Sequence, residues 1–125
     1  MDRQRTREDD RMTDLAMTFA QAEKGSWHIW QLAGRLDRAT AAQVQAEGEK
    51  LLLQTDRLAI DLSELAYISS AGIRVLLLLA KQAENASQPF CLCSPQGIVR
   101  EVLEISRMDM FLSICPSVDA LEEGA

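Results

Sequence analysis

Residues 57–85 constrain this chain more than any other stretch. Positions 57–62 put Leu58, Ile60 and Leu62 on one side of an extended segment and Ala59 and Asp61 on the other. That pattern suits an inner strand with both faces covered. From Ile73 onward the run contains no Gly, no Pro and only two β-branched residues, and Leu76 to Lys81 strongly favours helix. Between them lies Tyr67-Ile68-Ser69-Ser70-Ala71-Gly72, so a pair of serines falls where a strand has ended and a helix begins. A hydroxyl at such a junction faces the unpaired N–H groups and the positive end of the helix dipole. The functional centre is expected there.

The rest of the chain alternates strands and helices around this unit. Residues 1–14 mix acids and bases with almost nothing to bury, as in a disordered tail. Positions 15–21 alternate as an edge strand, Glu23-Lys24-Gly25-Ser26 is a turn, and positions 27–33 form a second strand, together a hairpin. Thr40-Ala41-Ala42-Gln43 fits a capping box, and Val44, Gly48, Leu51 and Leu52 follow at helical spacing. Residues 90–93 read as a short strand. Ser94-Pro95 starts a helix whose expected buried stripe is Ile98, Val102 and Ile105, flanked by Val99 and Leu103. Residues 111–115 form a last strand, and Pro116-Ser117 opens a final helical turn or two. The order β-β-α-β-α-β-α-β-α predicts a mixed α/β fold. Its inner strands run parallel through right-handed crossovers in a four- to five-stranded mixed sheet, covered by about four helices.

Charge and length exclude several classes. The 125 residues make one domain with a core of its own. A net charge of −6, with scattered basic residues, gives no electrostatic support to direct nucleic-acid binding. The longest apolar run, 75–80, is too short to span a bilayer, and residues 1–11 are too charged for a signal peptide, so no membrane insertion and a cytoplasmic location are expected. Cys91 and Cys93, two apart on a strand, point the same way; with Cys115 they are expected to be reduced core thiols, metal binding being the second reading.

Ser70 has two local readings. As a helix N-cap it would be worth about 1 kcal/mol. As a phosphoacceptor it would carry roughly −1.5 to −2 charges beside a dipole that tolerates them. Catalytic use is disfavoured, because the only histidine, His28, sits on another strand without an evident route to Ser70. The glycines form no phosphate-binding loop, and no cofactor or metal is expected. Asp37 and Asp61 are expected near Ser70, each closing a strand on the same edge, with turn and helix capping as their plainer role. The helix after Ser70 is apolar nearly all round, so it is either buried or offers a face to a partner; Arg74 is the candidate exposed contact or counter-charge.

Residues 15–122 resemble the STAS-domain anti-sigma-factor antagonists. The landmarks appear in order: Gly34-Arg35-Leu36-Asp37 with Thr40-Ala41, then Asp61-Leu62-Ser63, then Tyr67-Ile68-Ser69-Ser70-Ala71-Gly72-Ile73. The family places its phosphorylatable Ser or Thr two positions before the glycine, here Ser70. The resemblance implies a non-enzymatic switch within one STAS domain over 15–122. Unphosphorylated, it binds an anti-sigma-factor serine kinase and frees the sigma factor; phosphorylated on Ser70, it lets go; a serine phosphatase resets it. Asp37, Asp61, Ser69, Ala71, Gly72 and Arg74 are the implied partner-binding residues. Many members have Asp where this chain has Ser69, which makes Ser69 the second candidate acceptor. Many have Gly where this chain has Arg74, a difference that bears on partner choice. The alternative is a non-switching STAS interaction module, such as a cytoplasmic partner of a lipid-transport complex.

Overall fold

The structure, a computed structural model, describes residues 17–122. The tail expected over 1–14 and the first two positions of the expected edge strand lie outside the described residues. Five strands and three α-helices follow in the order β1 (Thr18–Lys24), β2 (Trp27–Leu36), α1 (Ala41–Gln54), β3 (Leu58–Ile68), α2 (Ser70–Asn85), β4 (Phe90–Cys93), α3 (Gly97–Ile105) and β5 (Ile114–Cys115). The sheet has the chain order β1-β2-β3-β4-β5. β1 and β2 are antiparallel across a two-residue turn, where Gly25 takes the left-handed φ of 60° that such turns require. Every later neighbour is parallel.

Three successive crossovers of one hand, each moving one strand further along, bring their helices to the same face of the sheet. Trp30, Leu58, Ile60, Leu62 and Leu92 form the main core there with Val44 and Leu51 of α1, Leu76 and Leu79 of α2, and Val99 and Leu103 of α3. The opposite face has a smaller cluster of Trp27, Ile29, Ala59, Cys91, Cys93 and Leu121. No described α-helix covers it. A C-terminal strap does: the Trp27 indole N–H donates to the Glu122 carbonyl at 3.0 Å, and Lys24 Nζ reaches the Asp119 carbonyl at 3.4 Å. Among the described residues the α-helices therefore cover one face only, and they number three rather than about four. The last expected helix is a 3-10 turn over Val118–Ala120, and a second 3-10 turn spans Met108–Met110.

Several local expectations give way to tertiary partners. The capping box at Thr40 does not form. The Thr40 hydroxyl is buried, donates to the Arg35 carbonyl at 2.7 Å and accepts from the Asp37 N–H at 3.0 Å, while Gln43 reaches out to the Met17 carbonyl at 3.3 Å. Ser94 does not cap α3, because its N–H donates to the Cys115 carbonyl at 3.0 Å and the chain stays in the sheet past β4; Gln96 precedes the helix. On α3 the buried pair is Val99 and Leu103, with Val102 half-buried, and Ile98 and Ile105 are exposed, Ile105 to 81%. A nine-residue helix touches the sheet along one narrow line, and that line runs through 99 and 103. The last strand shortens from 111–115 to Ile114–Cys115, since the Leu112 N–H turns back to the Met108 carbonyl at 2.8 Å.

Candidate functional site

β3 runs to Ile68, six residues past the end expected at Leu62, and this extension positions the site. Its last residues pair with the end of β2, Arg35 opposite Tyr67 and Leu36 opposite Ile68, after register shifts between Gln31 and Ala33 and between Gly34 and Arg35. Gly34 takes a φ of 119° at the second shift, a value that side-chain-bearing residues rarely adopt. Past Ile68 the chain turns sharply. The Ser69 N–H donates to the Leu36 carbonyl at 2.9 Å, and α2 begins at Ser70.

The two turns meet in an open hollow of about 500 Å3 lined by Arg35, Asp37, Arg38, Tyr67, Ser69, Ser70 and the alanines 39 and 71. Its β2–α1 wall is held by Thr40, as above, and by Asp37, whose Oδ1 accepts from the Ala39 N–H at 3.0 Å. The Arg35 guanidinium lies 4.2 Å from the centre of the Tyr67 ring and 3.7 Å from the Asp37 carboxylate. Both contacts are partly exposed, so each is worth at most about 1 kcal/mol; they orient the side chain more than they stabilise the fold.

The serines divide their duties. Ser69, not Ser70, is the N-cap: its extended backbone precedes the helix and its Oγ accepts from the Gly72 N–H at 3.4 Å. Ser70 is the first helical residue and is exposed, and its hydroxyl has no partner among the described residues. Arg74 is exposed one turn further on, at the i+4 position that shares Ser70's side of the helix.

Of the residues singled out from sequence, Asp37, Ser69, Ser70 and Ala71 come together here, and Arg74 stands beside them. Gly72 is buried beneath the turn and packs against β2. Asp61 is not brought to the hollow. It lies seven positions before Ile68, roughly 20 Å along an extended strand. There it pairs in register with Cys93 and accepts from the Ser63 N–H at 3.0 Å and from Gln31 Nε2 at 3.4 Å. The expectation that Asp61 closes a strand fails because β3 does not end at Leu62. His28 is opposite Leu58, at the far end of the sheet, where its ring Nε2 is 2.8 Å from Gln21 Oε1. Four lining residues were not singled out: Arg35, Arg38, Ala39 and Tyr67. The Gly34-Arg35-Leu36-Asp37 and Tyr67-to-Ile73 landmarks contained the signal for Arg35 and Tyr67.

This strand–turn–helix geometry has known relatives. A family model described as "Mlab, STAS domain" matches residues 19–114. Over 98 residues the chain is 44% identical to a Bordetella bronchiseptica protein named "Putative anti-sigma factor antagonist BtrV", covering 75% of this chain and 79% of the relative. The chain belongs to the STAS-domain anti-sigma-factor antagonist family. Solved structures share the STAS fold. An anti-sigma factor antagonist from Mycobacterium paratuberculosis superposes with a TM-score of 0.75 at 17% identity, over 82% of this chain and 88% of that one. The Bacillus cell fate determinant SpoIIAA in its phosphorylated form superposes with a TM-score of 0.61 at 18% identity, over 82% of this chain and 96% of that one. In this STAS domain, the hollow lies where the ends of β2 and β3 meet the start of α2. No described helix is long and apolar enough to cross a membrane.

Proposed function

We propose that the protein is a cytoplasmic partner switch. Unphosphorylated, it binds an anti-sigma-factor serine kinase through the surface around Ser70 and so frees the sigma factor. That kinase phosphorylates Ser70 and is released, and a serine phosphatase restores the binding form. The observation that carries this reading is the division of labour between the serines. Ser69 caps α2, which leaves Ser70 exposed with an unengaged hydroxyl at the rim of the hollow. A serine conserving no hydrogen bond of its own can be modified without undoing the fold.

The charges around it suit a two-state surface. Arg35 and Arg38 line the hollow beside the serine, Arg74 is exposed one turn along α2, and Asp37 is the one acid among the described lining residues, a locally basic patch on a chain of net charge −6. The basic rim would favour carboxylates on the facing surface of the partner. A phosphoryl group on Ser70 adds about −1.5 to −2 charges within reach of the α2 N-terminus and Arg74. It would draw the arginines to itself and repel those carboxylates, so the modified chain would remain folded while the complex weakens. The chain itself supplies no catalytic group in this scheme; the kinase brings the nucleotide and the chemistry.

The test is binding of the cognate serine kinase by calorimetry, with mass spectrometry after incubation with kinase and ATP. Ser70→Ala is expected to bind as wild type and take no phosphate, and Ser70→Asp to bind at least tenfold more weakly. Phosphate on Ser69, or on neither serine, sinks the site assignment. Equal binding by wild type and Ser70→Asp supports the non-switching module instead.

A further inference from the structure

On the helix-free side of the sheet three thiols converge. Cys91 and Cys93 project from β4 two residues apart, and Cys115 on β5 is opposite Cys93 in the parallel register. Their three Sγ atoms all lie within 4.8 Å of one another, and none is in a disulfide. Cys91 and Cys93 are buried and Cys115 is half-buried, against a wall that includes Ala59 and Leu121. A groove of about 590 Å3 opens to solvent beside Cys91 and Cys115, between Trp27, Phe90 and Leu121. The groove is at the N-terminal end of β2 and β4, so the cluster is separate from the hollow at Ser70.

We propose that these cysteines form a trithiolate site for one thiophilic d10 metal ion, Zn2+ or Cu+. Sulfur donors at about 2.3 Å from a central ion stand roughly 3.8–4 Å apart, so the cluster closes onto a metal with side-chain shifts of about 1 Å or less. Soft thiolate donors select these ions over Mg2+ or Ca2+, which take oxygen ligands. Cu+ is satisfied by three sulfurs. Zn2+ takes a fourth ligand, which water in the groove can provide, as in sites that keep three protein ligands and an open position. Three thiolates and Zn2+ leave one net negative charge rather than three, which lowers the cost of holding them beside an apolar wall.

Hydrogen bonding is a weaker use of these thiols than metal coordination. Cys91 Sγ donates to the Leu92 carbonyl at 3.4 Å, a weak contact for a weak donor. A disulfide is the rival use. Cys93 and Cys115, on adjacent strands in register, are near enough, but that bond would leave Cys91 alone and need an oxidant.

The experiment uses the full chain, stripped of metal and reduced under argon. It is titrated separately with Zn2+ and with Cu+, and with Co2+ as a spectroscopic probe of tetrahedral thiolate coordination. One ion of Zn2+ or Cu+ retained per chain through desalting, with all three thiols shielded from alkylation while it is bound, is the expected result. Competition between the two ranks the site's intrinsic preference. Cys115→Ser, at the half-buried position and with folding verified by circular dichroism, should lose the retained ion. Retention of neither ion, unshielded thiols, or undiminished binding by folded Cys115→Ser each overturns the proposal.

Discussion

Gly72 lies against Leu36 so closely that a Cβ on the glycine would stand 2.7 Å from both the Leu36 carbonyl oxygen and its Cγ. The same carbonyl accepts from the Ser69 N–H at 2.9 Å, so the end of β2 and the start of α2 are fitted together at backbone contact. Gly72→Ala should therefore destabilise by about 1–3 kcal/mol through overpacking, outweighing the gain of about 1 kcal/mol that Ala brings to a helix. Urea denaturation measures it; a stabilised variant would mean the turn has room to spare.

The two serines should separate in stability measurements. Ser69→Ala removes the cap and is expected to cost about 0.5–1 kcal/mol, at the low end of the usual range because the bond to Gly72 N is 3.4 Å long. Ser70→Ala should stay within about 0.5 kcal/mol of wild type. Thermal melts that rank the two in the opposite order would return the cap to Ser70.

Ser70→Asp should melt no lower than wild type at low ionic strength, because its carboxylate meets the α2 dipole and Arg74. The gain is on the order of 0.3–1 kcal/mol. It should shrink when salt is added and when Arg74→Ala is combined with it. A salt-independent effect would argue against an electrostatic origin.

Thr40 is 3% exposed and its hydroxyl joins the Arg35 carbonyl to the Asp37 N–H. Thr40→Val keeps the shape and leaves both groups unpaired, an expected loss of about 1–3 kcal/mol. Gln43→Ala, which would break a capping box had one formed, should be nearly neutral. Comparable losses at the two positions would overturn this account of the loop.

Along α3, Leu103→Ala should cost about 2–5 kcal/mol, as at other buried leucines, whereas Ile105→Lys should change stability by less than about 0.5 kcal/mol. Chemical denaturation of the pair checks which side of the helix faces the sheet.

Much of this molecule follows from local pattern. Alternation along 27–33 and 57–62, the turn at Gly25-Ser26, the unbroken helix former after Ile73 and the short apolar run at 90–93 determine the order of elements and hence the mixed parallel sheet. Periodicities of two and 3.6 residues are properties of a few neighbouring side chains, so they can be read one segment at a time. They also place a pair of serines at the strand–helix junction. What the pattern could not decide is which serine caps the helix, for that depends on where β3 stops, and β3 continues to Ile68 only because β2 pairs with it through two register shifts. The same long pairing carries Asp61 away from the hollow and brings Tyr67 under Arg35. Cys115 meets Cys93 because β5 docks beside β4, and Ile105 faces solvent because α3 settles on the sheet along Val99 and Leu103. Register and facing are agreements between segments far apart in the chain, and only the assembled sheet supplies the partner that settles them.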